Sequence, residues 1–129
     1  MPDQQTKKQR DLQFGKFAEE LAAEHYLKKG YVIRERNWRL GKIEIDLIAQ
    51  EGETIVFVEV KARSGKDIDP IFTVDLKKMK RISRGADAYL KSLKGYFEYR
   101  YDIYTLTGDF NNYETACIED AFISPLSVR

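Results

Sequence analysis

The chain has 129 residues, 43% of them hydrophobic and 33% charged, a balance that excludes a wholly disordered or collagen-like protein and allows one domain with a real core. Lysine and arginine number 22 against 21 acidic residues, a formal net charge of +1, so a polyanionic partner has to be met by local clusters of cations. The single cysteine, Cys117, excludes an internal disulfide and a thiolate metal centre.

No apolar run nears the roughly 20 residues that cross a bilayer. The opening MPDQQTKKQRDLQ is polar where a signal peptide needs an apolar stretch, so a cytoplasmic protein with no membrane partner is expected. Residues 1–11 show no hydrophobic period and are expected to form a flexible N-terminus, with 12–129 as the folded domain. From Leu12 to Lys29, Phe14, Phe17, Ala18, Leu21, Ala22, His25 and Tyr26 recur at helical steps, and Gly30 supplies a helix stop. An extended segment starts at Tyr31. In the strand Ile43 to Ala49, the apolar Ile43, Ile45, Leu47 and Ala49 are expected on one face, with Glu44 and Asp46 on the other. The β-branched run Thr54 to Lys61 has the length of a buried strand. Asp69-Pro70 marks a break, after which Val74 to Leu93 reads as a second helix, apolar along Met79, Ile82, Ala86, Tyr89 and Leu90. Its other side carries Lys77, Lys78, Arg81 and Arg84. Strands follow at Phe97 to Tyr104 and Thr115 to Ile118, and a closing turn anchors Phe122. Helix, strands, helix, strands describes a single α/β domain with a central mixed β-sheet flanked by helices.

The chemistry lies in the first hairpin. A two-residue turn at Gly52-Glu53 sets residues whose numbers sum to 105 opposite each other, Asp46 across from Glu59 and Glu44 across from Lys61. Directly opposed side chains stand about 4.5–5.5 Å apart at Cβ, and two carboxylates at that distance repel unless something positive lies between them. A hard divalent cation such as Mg²⁺ meets that need and keeps positions for water and phosphate oxygens. Lys61 shares the face of Glu59, and carboxylates beside an ammonium suit phosphodiester hydrolysis. An acid from the first helix, Glu19 or Glu20, completes the candidate set. The same residues also make an ordinary solvated ion-pair cluster. Against that, Glu59 and Lys61 interrupt the apolar run Val58, Val60, Ala62, where unpaired charges are rarely tolerated.

Asp46 followed by Glu59-Val60-Lys61 resembles the two-carboxylate-plus-lysine motif of the PD-(D/E)XK nucleases. Gly15, Glu19 and Ala22, then Arg36-Asn37-Trp38-Arg39, Glu44 to Ala49, Val56 to Arg63, Lys78, Arg100-Tyr101-Asp102 and Asp120-Ala121-Phe122 resemble the YraN-like family, which is similar to archaeal Holliday junction resolvases. The resemblance implies a restriction-endonuclease-like core and an active-site set of Glu19, Asp46, Glu59 and Lys61. It also implies Mg²⁺, with Mn²⁺ as a substitute, held by Asp46, Glu59, Glu19 and the Val60 carbonyl. The implied substrate is branched or structured DNA, cut by hydrolysis. The alternative is a catalytically silent or partner-activated nucleic-acid-binding module on the same fold. A four-way junction asks for two sites at fixed spacing, hence a homodimer. Arg39, Arg63, Lys78 and Arg81 are the expected phosphate contacts. Trp38, His25 and Cys117 are expected in the core, and Asp102 as a partner of Arg100.

Overall fold

The computed structural model describes residues 6–64 and 76–121. Among the described residues seven elements follow one another: α1 (Lys7–Lys28), β1 (Val32–Leu40), β2 (Ile43–Glu51), β3 (Thr54–Arg63), α2 (Leu76–Ser92), β4 (Glu98–Gly108) and β5 (Tyr113–Ile118). The expected break at Asp69-Pro70, the first residues of the second helix and the turn anchoring Phe122 lie outside the described residues.

α1 starts earlier than its apolar period suggests. Thr6 caps it, its side chain accepting from the Gln9 N–H while the Gln9 side chain accepts from the Thr6 N–H, a reciprocal box that satisfies two otherwise orphaned donors. Residues 7–11, expected to be flexible, are therefore the first turn and more of the helix. At the other end Gly30 takes φ 89°. The Tyr31 N–H returns to the Tyr26 carbonyl and the Gly30 N–H to that of Leu27, both at 3.0 Å, as a Schellman stop requires.

The five strands form one mixed sheet in the order β1-β2-β3-β4-β5. β1, β2 and β3 are antiparallel neighbours, β3 and β4 run parallel, and β5 returns antiparallel. The parallel pair needs a crossover, which includes α2. α1 covers one face, its Ala22, Ala23 and Tyr26 against Leu47, Ala49, Val56, Val58 and Tyr104. α2 covers the other, its Ile82, Ala86 and Tyr89 against Ile48, Ile55, Phe57 and Tyr101. Trp38 packs edge-on to Tyr89 on this side, as a packing residue would. Gly85 lets α2 lie close on β2: a Cβ there would stand 2.8 Å from Ile43 Cγ2 and 3.2 Å from Ile45 Cδ1. Among the described residues, no helix is long and apolar enough to cross a membrane.

Two expected core residues sit differently. Cys117 is only partly buried and lies 3.4 Å from the Tyr26 hydroxyl, because β5 is the last strand of the sheet and is mostly exposed. His25 is likewise half-buried, against the rings of Tyr26 and Tyr104.

Candidate active site

The β2–β3 hairpin turns at Gly52, with φ 58°, and pairs Glu51 with Thr54 through to Leu47 with Val58. Every one of these pairs sums to 105, the register expected from a two-residue turn. Beyond Leu47 the ladder stops and the strands fork. The cause is Asp46, whose Oδ2 accepts the Val60 N–H at 2.8 Å, so a side chain takes the donor that the next ladder bond would have used. β2 continues with β1 alone, as Trp38↔Ile45, Arg39↔Glu44 and Leu40↔Ile43.

The fork overturns two expectations. Ile45 does not share a face with Leu47 and Ala49: it joins the core under α2 while they join the core under α1, because the pleat shifts at Asp46. Glu44 does not face Lys61. It pairs with Arg39 at 3.0 Å across the β1–β2 ladder, so that arginine is tied to a carboxylate rather than free beside the cluster. β1 is distorted to match. Asn37 adopts φ 51°, a left-handed conformation that asparagine tolerates better than most residues. Arg36 and Asn37 consequently both reach α1, the former to Glu20 at 2.9 Å and the latter to Glu19. Glu20 is thus held by Arg36, whereas Glu19 shares a small hollow of about 50 Å³ with Asn37, Asp46 and Val60.

On the other side of the fork, Asp46 and Glu59 line a hollow of about 180 Å³ with Lys42, Glu44, Lys78 and Arg81. Period two along β3 turns Glu59 and Lys61 to this side, after Ile55 and Phe57. Glu59 is 4% exposed, and its Oε1 lies 2.7 Å from Lys78 Nζ and 3.9 Å from Lys61 Nζ. Lys78, on the basic side of α2 by spacing but set near the active site by the family resemblance, is turned inward to Glu59 from the first turn of α2. Arg81 one turn on is exposed and lines the same hollow. Arg63 lies at the end of β3, donating to its neighbour's carbonyl on Ala62 at 3.0 Å.

Charge at the fork is unevenly balanced. Burial, then the Glu59 carboxylate, pushes the Asp46 carboxyl up to about 8. Burial and the adjoining Lys78 lower Lys61. For Lys78 burial works downward but Glu59 outweighs it, so its ammonium is strengthened. Burial raises Glu19, against a hydrogen bond from Asn37 that lowers it. Asp46 thus stands between Glu19 on the α1 side and Glu59 on the α2 side. Among the described residues no three carboxylate, histidine or cysteine side chains converge into one tight cluster. Asn37 was absent from the expected set, and its signal in the sequence is its place in the Arg36-Asn37-Trp38-Arg39 segment that carries the family resemblance.

The fold and the fork define a small single-domain α/β protein, among the described residues a five-stranded mixed sheet between two helices, with a partly buried carboxylate–lysine cluster where two strands part. The profile of the family described as "Uncharacterised protein family UPF0102" matches residues 18–106, which include all four of Glu19, Asp46, Glu59 and Lys61. A "UPF0102 protein" of Bacteroides thetaiotaomicron is 41% identical over 115 residues, 88% of this chain and 95% of that one. One of Phocaeicola vulgatus is 39% identical over 115 residues with the same coverage. Another from Thermotoga maritima is 50% identical over 82 residues, 62% of this chain and 75% of that one. The chain belongs to the UPF0102 family, to which the YraN-like resemblance pointed.

Proposed function

We propose that this protein is a metal-dependent endonuclease on a PD-(D/E)XK-type core, hydrolysing phosphodiester bonds in branched or structured DNA. The observation that carries the reading is the pair of half-buried Asp46 and buried Glu59, which line one hollow at the fork with Lys61 on the same face as Glu59. Even with Lys78 adjoining, burial and Glu59 push the Asp46 carboxyl up to about 8, so a cation at Asp46 would relieve the crowding of the two carboxylates. A divalent cation, Mg²⁺ or Mn²⁺, fits a donor set of two carboxylates and the Val60 carbonyl, with Glu19 reaching from the α1 side. When bound it supplies positive charge beside the scissile phosphate and makes a nearby water more acidic.

The chain's own groups do the rest. Asp46 and Glu59 would hold the ion, and the Val60 N–H fixes the Asp46 carboxyl by a 2.8 Å bond. Lys61, its ammonium weakened by burial and by Lys78, orients the attacking water and stabilises charge growing on the phosphate. Arg81 lines the hollow as a phosphate contact, Arg39 and Arg63 at the strand ends add further cations, and Lys78 lies beside Glu59. A homodimer would present two such sites to a four-way junction.

A second reading, a nucleic-acid-binding module that does not cut, draws on the 2.7 Å contact that ties Glu59 to Lys78. One panel separates the two: labelled four-way junction, flap, duplex and single strand with Mg²⁺ or Mn²⁺, against Asp46→Asn protein purified identically. Metal-dependent cutting by the unaltered protein alone carries the nuclease reading. Tight junction binding without cutting carries the second, and neither binding nor cutting overturns both.

A further inference from the structure

The nuclease reading leaves open where the strand that carries the scissile bond lies, and a second groove bears on it. β3 beyond the fork keeps β4 on one side, while β2 no longer pairs with it on the other. Val60 and Ala62 turn their main chain to the vacated side: the Val60 N–H meets Asp46 there, and period two places Ala62 alike. Between this stretch and the first half of α1 runs a groove of about 480 Å³, within the range of sites that hold nucleotide-sized groups. Lys7, Phe14, Gly15, Lys61 and Arg63 line it together with Asp11.

Gly15 is the informative residue. It sits inside a 22-residue helix, where glycine is among the poorest choices. Neither a special backbone conformation nor packing calls for it. Its φ is not positive, and a Cβ built there meets nothing within 4 Å among the described residues. Bare backbone facing an open groove is what close approach by a ligand requires. Gly15 also precedes Glu19 by four residues, so the two lie on one face of α1, one turn of about 5.4 Å apart. The groove therefore leads into the candidate active site.

The ends of the groove are basic. Arg63 projects from the end of β3, and Lys7 stands at the start of α1. Lys7 is paired with Asp11 at 2.8 Å, but both side chains are largely exposed, at 79% and 49%, and such pairs are weak enough to exchange for a phosphate. We propose that this groove is the path of a nucleic-acid strand flanking the scissile phosphate, its sugar–phosphate backbone lying directly on α1 at Gly15 and its phosphates held by Lys7 and Arg63. The proposal rests on the nuclease reading and deepens it by naming the strand's path.

The test uses a fluorescein-labelled four-way DNA junction and fluorescence anisotropy in the Asp46→Asn background, with melting temperature measured in parallel. Gly15→Ala adds a Cβ that meets nothing within 4 Å among the described residues, and Gly15→Leu reaches further into the groove. Both are expected to melt no lower than their parent yet to bind the junction more weakly, the leucine by tenfold or more. Lys7→Gln and Arg63→Gln are each expected to lower the slope of log affinity against log salt by about one, while Lys91→Gln on the far end of α2 changes neither. Unaltered junction affinity in both glycine variants overturns the path while leaving metal-dependent cutting by the unaltered protein, and with it the nuclease reading, intact. A lower melting temperature in Gly15→Ala overturns it as well, since the glycine would then serve the fold. No junction binding by the parent protein overturns the path together with the reading beneath it.

Discussion

Asp102 on β4 and Glu59 on β3 are near neighbours in the sheet, with Val58 opposite Asp102 and Glu59 opposite Ile103 in the parallel register. They face opposite sides and live in opposite circumstances. Asp102 is 0% exposed and accepts from Arg100 Nε at 2.9 Å, Arg100 Nη2 at 3.1 Å, the Tyr26 hydroxyl at 2.6 Å and the Asp120 N–H at 3.0 Å. Arg100 in turn reaches the Tyr31 hydroxyl at 2.9 Å. This ties α1, β4 and the end of β5 into one network with every acceptor used. Glu59 instead has lysines on one side and a second, half-buried carboxylate, Asp46, on the other. A buried charge whose partners are complete and enclosed is a piece of architecture, whereas one that shares an open hollow with a second carboxylate and two lysines is a place for a ligand.

The sharpest way to break that contrast is Arg100→Leu. It leaves Asp102 charged, buried and without its cation, a loss of about 3–5 kcal/mol for a buried pair deprived of one member. Urea unfolding measures it, and a loss under about 1 kcal/mol would remove the distinction. Gly85→Ala comes next, at about 1–3 kcal/mol of destabilisation from overpacking. The new methyl pushes against Ile43 and Ile45, on the arm of β2 that holds the fork open, so divalent-ion affinity measured by calorimetry should fall with stability.

Asp46→Asn should have the opposite sign. The folded-state carboxyl titrates near 8 against 3.8 in the free group, so between those values the folded chain holds a proton that the unfolded chain has released. Its contribution to stability therefore declines as pH rises from about 4 to about 8 and levels off beyond. Without metal the asparagine variant should be more stable above pH 8 by roughly 1–2 kcal/mol, within the range for replacing a poorly compensated buried charge. The difference in melting temperature should vanish near pH 4 and shrink when Mg²⁺ is added to the unaltered protein. A constant difference across pH would place the carboxyl in the Asp102 class. The smallest effect belongs to an exposed acid: Lys91→Ala frees Asp87 from a 2.9 Å pair between side chains 76% and 59% exposed, and should change stability by no more than about 0.5 kcal/mol.

What the sequence makes legible follows from which forces are local. The turn at Gly52 determines the hairpin register, which holds as far as Leu47 and Val58 and brings Asp46 and Glu59 to the same end of the hairpin, though not into the direct pairing expected. The apolar period of α1 and its stop at Gly30 are equally local. Thr6 and Gln9 also carry a readable capping signal, one that the missing hydrophobic period hides. The fork is different. It depends on one side chain, Asp46, outcompeting a ladder partner for the Val60 N–H, and on Asn37 bending β1 to suit, neither of which alters hydrophobic spacing. Alternation therefore assigns Ile45 to the wrong face. Lys78 hides for a similar reason, since a run of basic residues on a helix looks uniformly solvated until a buried carboxylate opposite selects one of them. Asp102 and Arg100, two apart on one strand, can pair without any tertiary information.

The bond from Val60 to Asp46 has a consequence for solubility. Where β2 parts from β3, the sheet acquires a raw edge in its interior, and strand edges recruit other chains. The Asp46 carboxylate occupies the first exposed donor of that edge, so the residue proposed to hold the metal is also a stopper against strand addition. Asparagine keeps an acceptor in that place and alanine does not. Overexpressed Asp46→Ala protein should accordingly self-associate at concentrations where Asp46→Asn stays dispersed, with light scattering as the measure.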